Sequence, residues 1–516
     1  MNGCPSNRAY TQTGKGGLDE RIPEDDLYRY TRHRWLFNEP RELSKRYLKF
    51  NLRQLIDVAV NARNGARYCT KVVKCLEGLH NKAFLLVMDN GAEVVAKLPS
   101  PNAGFARYIT ASEVATRQLL REHFNIPTPR ILAWSSDAAN TPVKAEYIIE
   151  EKAASVRLGS LWNQWSRETK LKLVEQVVDM ENKLTSTTFS KHGCVYFKAD
   201  HRSLTGQVED LNDDSSADEV LKRFTIGPLT SPELWTGTRS DMELDRGPWR
   251  NSSVYTHAMG CNETSWINAH ARPRYIKVAP FLVPSSTDEA ANPKVLWHPD
   301  LHLDNVFQSA CVAPLFYQSH VPRMFRHHGP VQEGWAVPER PDNFDTLSAK
   351  DQEKITSDHE GQIIHKYYEA LVYKRAPRHW AVFEQKNIPI VRKPAWLVTG
   401  VWENKDLFFL RQSLLSLVNL WEDLFQLPCP IAFTEKEIEL HAEEKTNMDG
   451  IGQVLTLFRN QGVLPVDGMV DPKDYDVAVE NSWQFKQVFL RSAENDKERE
   501  LYSKLWPCQD TEDSVV

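Results

Sequence analysis

Paired cysteines are missing from this chain: Cys4, Cys69, Cys75, Cys194, Cys261, Cys311, Cys429 and Cys508 are scattered, and none forms a C-x-x-C pair. That argues against a disulfide framework or a structural zinc site and fits a reducing compartment. Concentrated positive charge is missing too. Lys and Arg number 63 against 69 Asp and Glu, giving a formal net charge of -6 with no basic run. Surfaces that bind nucleic acid need clustered cations to displace counterions, so no nucleic-acid partner is expected. No apolar stretch approaches the roughly 18 to 20 residues of a membrane span. The longest apolar-rich region, Leu407 to Leu427, is broken by Arg411, Gln412, Glu422 and Asp423 and reads as a core helix. A local absence matters more: no Asp or Glu occurs from Val306 to Gln332.

What is present suggests two or three structural units in 516 residues. Residues 1–27 read as a flexible leader. Its first 18 residues hold Arg8 and Lys15, too few basic residues for a convincing mitochondrial presequence, so the residues alone favour the cytoplasm. Residues 28–152 read as an N-terminal extension followed by a β-rich lobe. Strand-like runs fall at Lys71–Cys75, Ala83–Met88 and Glu93–Leu98, with Asp89-Asn90-Gly91 as a hairpin turn between the second and third. Thr110-Ala-Ser-Glu113 fits a capping box that opens a helix, and Pro127 and Pro129 end it. Two more strands are expected at Arg130–Trp134 and Glu146–Glu150. Residues 153–490 read as a helical lobe, and 491–516 as a C-terminal tail.

The most informative segment is Val295-Leu-Trp-His-Pro-Asp-Leu-His-Leu-Asp-Asn-Val-Phe307. A β-like run leads into His298-x-Asp300, and Asn305 follows five residues later. Phosphoryl transfer needs a carboxylate to receive or orient the attacking hydroxyl and oxygen ligands that hold Mg²⁺ against the phosphates. Asp300 and Asn305 sit at the separation at which a kinase catalytic loop provides a base and a metal ligand. A bare D-x-x-x-x-N is also a common turn, but the full string behind a hydrophobic strand is far more specific. His298 and His302 at i, i+4 could alternatively suggest a hydrolytic metal site. That spacing aligns two imidazoles only on a helix, and Pro299 opposes one.

The H-P-D-L-H-L-D-N string resembles the catalytic loop of aminoglycoside phosphotransferases and choline-kinase-like enzymes. A wider resemblance is to the fungal family named after altered inheritance of mitochondria protein 9. It is carried by Tyr30–Pro40 (YTRHRWLFNEP), Glu77–Lys82 (EGLHNK), Ala96–Gly104 (AKLPSPNAG), Thr110–Thr116 (TASEVAT), Ala145–Glu151 (AEYIIEE), Asp245–Trp249 (DRGPW) and the catalytic loop. The resemblance implies an α+β, two-lobed protein-kinase-like fold with a β-rich N-lobe and a mainly helical C-lobe. It implies ATP and Mg²⁺ as cofactors, an unknown small-molecule hydroxyl as acceptor, and a mitochondrial location. Carried over by position, Lys97 resembles the lysine on the ATP phosphates, and Glu113 the helix acid that pairs with it. Gly78 lies in the loop that would cover the nucleotide, and Glu146–Ala153 resembles the hinge. Asp300 would be the catalytic base and Asn305 a metal ligand.

One element of the family pattern is absent. The second metal-binding acid, in an I-D-W-type motif, would stand some 15 to 20 residues after Asn305. Here Gln308-Ser309-Ala310 follows Phe307 directly, as if a hairpin had been removed. Either an altered transcript or a genuine loss of catalysis accounts for this, and the abrupt junction favours the first. The chain as written is expected to be inactive or nearly so. The alternative function is a pseudokinase-type binding or scaffold protein.

Overall fold

The computed structural model describes residues 10–12, 23–154, 158–206, 218–235, 237–263, 272–283, 293–298, 310–401, 407–460, 465, 468–506 and 510. It forms two compact units. The first comprises Met1–Arg107, Arg130–Lys152 and Phe433–Val516; the second comprises Tyr108–Pro129 and Ala153–Ala432.

Alternation of apolar residues builds the first unit. Strands β3 (Cys69–Lys74), β4 (Asn81–Met88), β5 (Glu93–Pro99), β6 (Ile131–Ser135) and β7 (Tyr147–Glu151) pair antiparallel, and β1 (Tyr10–Gln12) joins β3 in parallel, in the order β1-β3-β4-β5-β7-β6. On β4 and β5 every second side chain faces the core: Phe84, Leu86 and Met88, then Val94, Ala96 and Leu98. That face shares its core with Leu55, Ile56 and Ala59 of the helix Leu52–Ala62, whose first turn is capped by Asn51 Oδ1 accepting from Gln54 N at 3.1 Å. Each Phe or Leu buried there contributes about 1.5–3 kcal/mol. The hairpin forms at Asp89-Asn90-Gly91 as expected. Of the three, only Gly91 takes a positive φ, at 79°, which is the three-residue form of the turn.

The helix between β5 and β6 spans Tyr108–Glu122. It starts two residues ahead of Thr110, so the expected capping box does not form and Thr110 and Ser112 are buried inside the helix. The cause is tertiary: Ala115, Leu119 and Leu120 lie in the core of the second unit with Val195 of β8 (Cys194–Phe197), Ile226 of β9 (Phe224–Gly227), Leu296 of β10 (Lys294–Trp297) and Val312 of β11 (Cys311–Pro314). Helices dominate the rest of that unit. Arg167–Ser186 and Ala349–Arg375 share a core of Val174, Val177, Val178, Ile364, Tyr368 and Leu371.

The strand order β3-β4-β5-β7-β6, with a helix between β5 and β6 and a mainly helical unit after it, is the α+β arrangement of a protein-kinase-like fold. The two units divide the chain differently from the sequence-based boundaries at two places. Tyr108–Pro129 groups with the helical unit for the packing reason just given. Phe433–Val516 groups with the sheet unit, where β12 (Met469–Val470) pairs with β2 (Arg34–Trp35). The expected tail carries a helix at Asp496–Leu505, and Trp506 is buried against Phe489.

In the second unit the side chain of Glu181 is deeply buried, with the Tyr368 hydroxyl donating to Oε2 at 2.8 Å and His379 Nδ1 at 3.9 Å. Burial pushes the Glu181 carboxyl up to about 8 and the His379 imidazole down to about 3. The folded chain therefore holds a proton on Glu181 that the unfolded chain releases above its ordinary 4.5, so this group's stabilisation falls as pH rises towards 8. His379 acts oppositely, adding stability as pH rises from about 3 to 6.5. Glu181→Gln keeps an acceptor for Tyr368 and removes the first dependence. Thermal unfolding midpoints measured across pH 5 to 8.5 should show wild type losing ground to Glu181→Gln as pH rises. Parallel curves would contradict a protonated Glu181.

Candidate nucleotide site and catalytic loop

Lys97 lies in the interior of the sheet. It stands opposite Ala83 on β4 and Ile148 on β7, half-buried, on the face of β5 away from Val94, Ala96 and Leu98. Two flanking strands fix its backbone on both sides, as a residue that orients a phosphate requires. Ile148 belongs to the Glu146–Ala153 stretch expected as the hinge, most of which is strand β7. Ahead of that strand Glu146 is buried and accepts from the Arg107 backbone N–H at 2.7 Å.

The loop between β3 and β4 is anchored more firmly than its sequence suggests. Glu77 is buried with Lys74 and Lys82, whose Nζ atoms lie 3.1 and 2.7 Å from its carboxylate oxygens. Backbone carbonyls of Asp26 and Arg29 accept from Lys74 at 2.6 and 2.9 Å, and that of Arg29 accepts from Lys82 at 3.0 Å. Thr31 N–H donates to Glu77 Oε2 and Arg32 Nη1 to its carbonyl, both at 2.8 Å. Burial lowers the pKa of both lysines, that of Lys82 to about 8, against the opposing pull of Glu77. The N-terminal extension thus supplies the oxygens that solvate two buried ammonium groups. Gly78 sits at the exposed tip, with an ordinary negative φ and nothing within 4 Å of the place a Cβ would occupy.

Glu113 lies in the second unit, in the second turn of the Tyr108–Glu122 helix. Its side chain is buried and its Oε1 is 3.5 Å from Arg117 Nη1, one helical turn on. Lys97 stands in the first unit.

Strand β10 carries the chain into His298, which is buried. Residues 299–309, and with them Asp300, His302 and Asn305, lie outside the described residues. The two ends of that stretch are well defined. Trp297 pairs with Cys311 and Lys294 with Pro314, so the chain returns antiparallel beside β10. Val312 also exchanges two backbone hydrogen bonds with Gly193. Neither β11 nor the segment from Leu315 to Gln332 carries a carboxylate. Among the described residues, no group of three or more His, Cys, Asp or Glu is placed to hold a metal ion.

Two features escaped sequence reasoning. Lys74 falls in an expected strand and Lys82 at the end of the loop expected over the nucleotide; the signal of burial at Lys82 is the phase of the alternation, which puts it on the same face as Phe84 and Leu86. Glu181 is one acid of the helix Arg167–Ser186, and no local pattern marks it as buried.

No family model matches the chain. Two Aspergillus fumigatus strains each carry a subtelomeric hrmA-associated cluster protein that is 28% identical to it, over 87% of this chain and 98% of the relative. A protein named altered inheritance of mitochondria protein 9, mitochondrial, from Saccharomyces cerevisiae strain JAY291 is 21% identical over 90% of this chain and 89% of its own length. Its namesake from Zygosaccharomyces rouxii is 22% identical over 83% and 85%. The chain is similar to altered inheritance of mitochondria protein 9. A Ralstonia eutropha crystal structure provisionally assigned as an aminoglycoside phosphotransferase shares 13% identity over 73% of this chain and 98% of that one, with a TM-score of 0.37. That overlap is too loose to carry the fold, which rests on strand order and register.

Removing one partner from a buried charge cluster strands the others, at a cost of about 3–5 kcal/mol. Glu77→Ala should therefore lower the urea midpoint of the chain markedly, while the Glu77→Ala, Lys82→Met double variant should recover part of the loss. Additive losses in the pair would show that the cluster is not coupled.

Proposed function

We propose that this chain is an aminoglycoside phosphotransferase-like protein that binds ATP and has lost most of its capacity to pass the γ-phosphoryl group to a small-molecule hydroxyl. One observation carries the reading: β10 enters the His298–Asn305 string and pairs directly with β11, and no acid follows before Glu333. Lys97, central in its sheet, would orient the phosphates, with Glu113 as its supporting acid and the Glu77–Lys82 loop, Gly78 at its tip, over the nucleotide. Asp300 would receive the acceptor's proton. Asn305 would be the retained metal ligand.

Mg²⁺ favours octahedral oxygen coordination and is usually held by one or two carboxylates together with phosphate and water. One amide oxygen, with no Asp or Glu from Val306 to Gln332, does not fit the ion that bridges the β- and γ-phosphates. Transfer depends on positioning and neutralisation of charge, and the second of these is what the chain lacks. Binding depends on Lys97 and the sheet, which are intact. A mitochondrial location is part of the same reading, supported by relatives whose names carry it.

Thermal unfolding with ATP, with and without Mg²⁺, tests this. ATP a hundredfold above its Kd should raise Tm by about 2–3 °C, since that excess stabilises by about 2.7 kcal/mol. The rise should persist without Mg²⁺ and be lost in Lys97→Ala. ATP turnover that requires Mg²⁺ and disappears in Asp300→Ala would overturn the loss of transfer, and no ATP response at all would overturn binding.

A further inference from the structure

The acid-free stretch is cationic. From Val306 to Gln332 it holds His320, Arg323, Arg326, His327 and His328. The helix Ile388–Val398 adds Arg392 and Lys393, again with no acid between Gln385 and Trp402. Both segments belong to the second unit, and they meet at Arg392.

The Arg392 guanidinium is almost fully enclosed, with the residue 6% exposed. Nη1 donates to the carbonyls of Phe316 at 3.0 Å and Ser319 at 2.6 Å, and Cζ lies 4.2 Å from the centre of the Trp396 ring. Nε is buried without a hydrogen-bond partner, and so is the Ser319 hydroxyl oxygen. No carboxylate pairs with Arg392 among the described residues. Burial first, then repulsion from Arg326, holds its pKa down to about 10. A structural duty accounts for part of this: Nη1 ties down carbonyls at the end of the short helix Leu315–Gln318. Two carbonyls do not neutralise a buried cation, which without a counter-ion is costly by several kcal/mol. The unspent donors are the kind that accept a planar or tetrahedral oxyanion, for which arginine's fork is suited.

We propose that Arg392 and Ser319, near which Arg326 adds a further positive charge, form a binding site for an oxyanion, the phosphate or carboxylate group of a small molecule, which supplies the counter-charge that the chain omits. Under the phosphotransferase reading that group belongs to the acceptor, which is then an anionic molecule. The anion site itself does not rest on that reading.

The test follows thermal unfolding of the full chain against sodium phosphate at constant ionic strength, with sodium chloride as reference, and in parallel against glycerol phosphate and citrate. A saturable rise is expected in at least one series. Half-saturation should weaken by about tenfold or more in Arg392→Gln, consistent with loss of a charge-assisted contact, and less in Ser319→Ala. Tighter saturation by glycerol phosphate than by inorganic phosphate points to a phosphate ester, and saturation by citrate alone to a carboxylate. Arg326 is exposed and open to phenylglyoxal, so peptide mass mapping of the wild-type protein gives a readout that does not depend on a variant folding. The saturating anion should slow its modification. No saturable rise with any anion, an equal rise in Arg392→Gln, or unprotected Arg326 overturns the site. None of these readouts needs nucleotide, so they fail or succeed apart from phosphotransfer.

Discussion

The antiparallel ladder between β10 and β11 is the constraint on which the second unit depends. Val295, Leu296, Val312 and Ala313 have no exposed surface, and Val312 extends the pairing to Gly193. A slip of one residue would exchange the two faces and misplace every one of these packed side chains. The register therefore fixes where the chain leaves, at Trp297, and where it returns, at Cys311. Every residue that can serve the catalytic loop from this part of the chain must lie between those points or after them. Asp300 and Asn305 do, and a downstream acid does not.

The first unit obeys a different logic. Its apolar face is built by period-two alternation, but its edge nearest the N-terminal extension is built by charge. Lys74, Glu77 and Lys82 carry one net positive charge in a setting from which water is excluded, and backbone oxygens of residues 26 and 29 take the place of water. Arg392 in the second unit poses the same electrostatic problem with fewer oxygens around it. The contrast between the two cations is what points outside the chain for a partner in the second case.

Much of the sheet was legible in the sequence because alternation is local. The three strand runs, the turn at Gly91 and the helix between β5 and β6 all follow from spacing within a few residues. The helix start was not legible: Thr110-Ala-Ser-Glu113 satisfies the capping rule, yet packing of Ala115 and Leu119 into the second unit's core carries the helix back to Tyr108. The charge clusters were not legible either, because their partners are remote in sequence. Glu181 meets residues 368 and 379, and Lys74 meets residues 26 and 29. At the candidate site, Lys97 stands on β5, where the strand run Glu93–Leu98 is expected, while Asp300 and Asn305 lie outside the described residues and rest on sequence alone.

The pairing of Arg34–Trp35 with Met469–Val470 bears on how the chain is made. Synthesis runs from the N-terminus, so β2 emerges early and waits for a partner that appears near the end. Almost the whole of the second unit, Ala153–Ala432, is synthesised in between as one continuous piece with its own core. Closing so long a loop costs only slowly more entropy with length, but it cannot begin until Met469–Val470 has emerged. The helical unit can thus fold before β12 is made, while β2 waits unpaired.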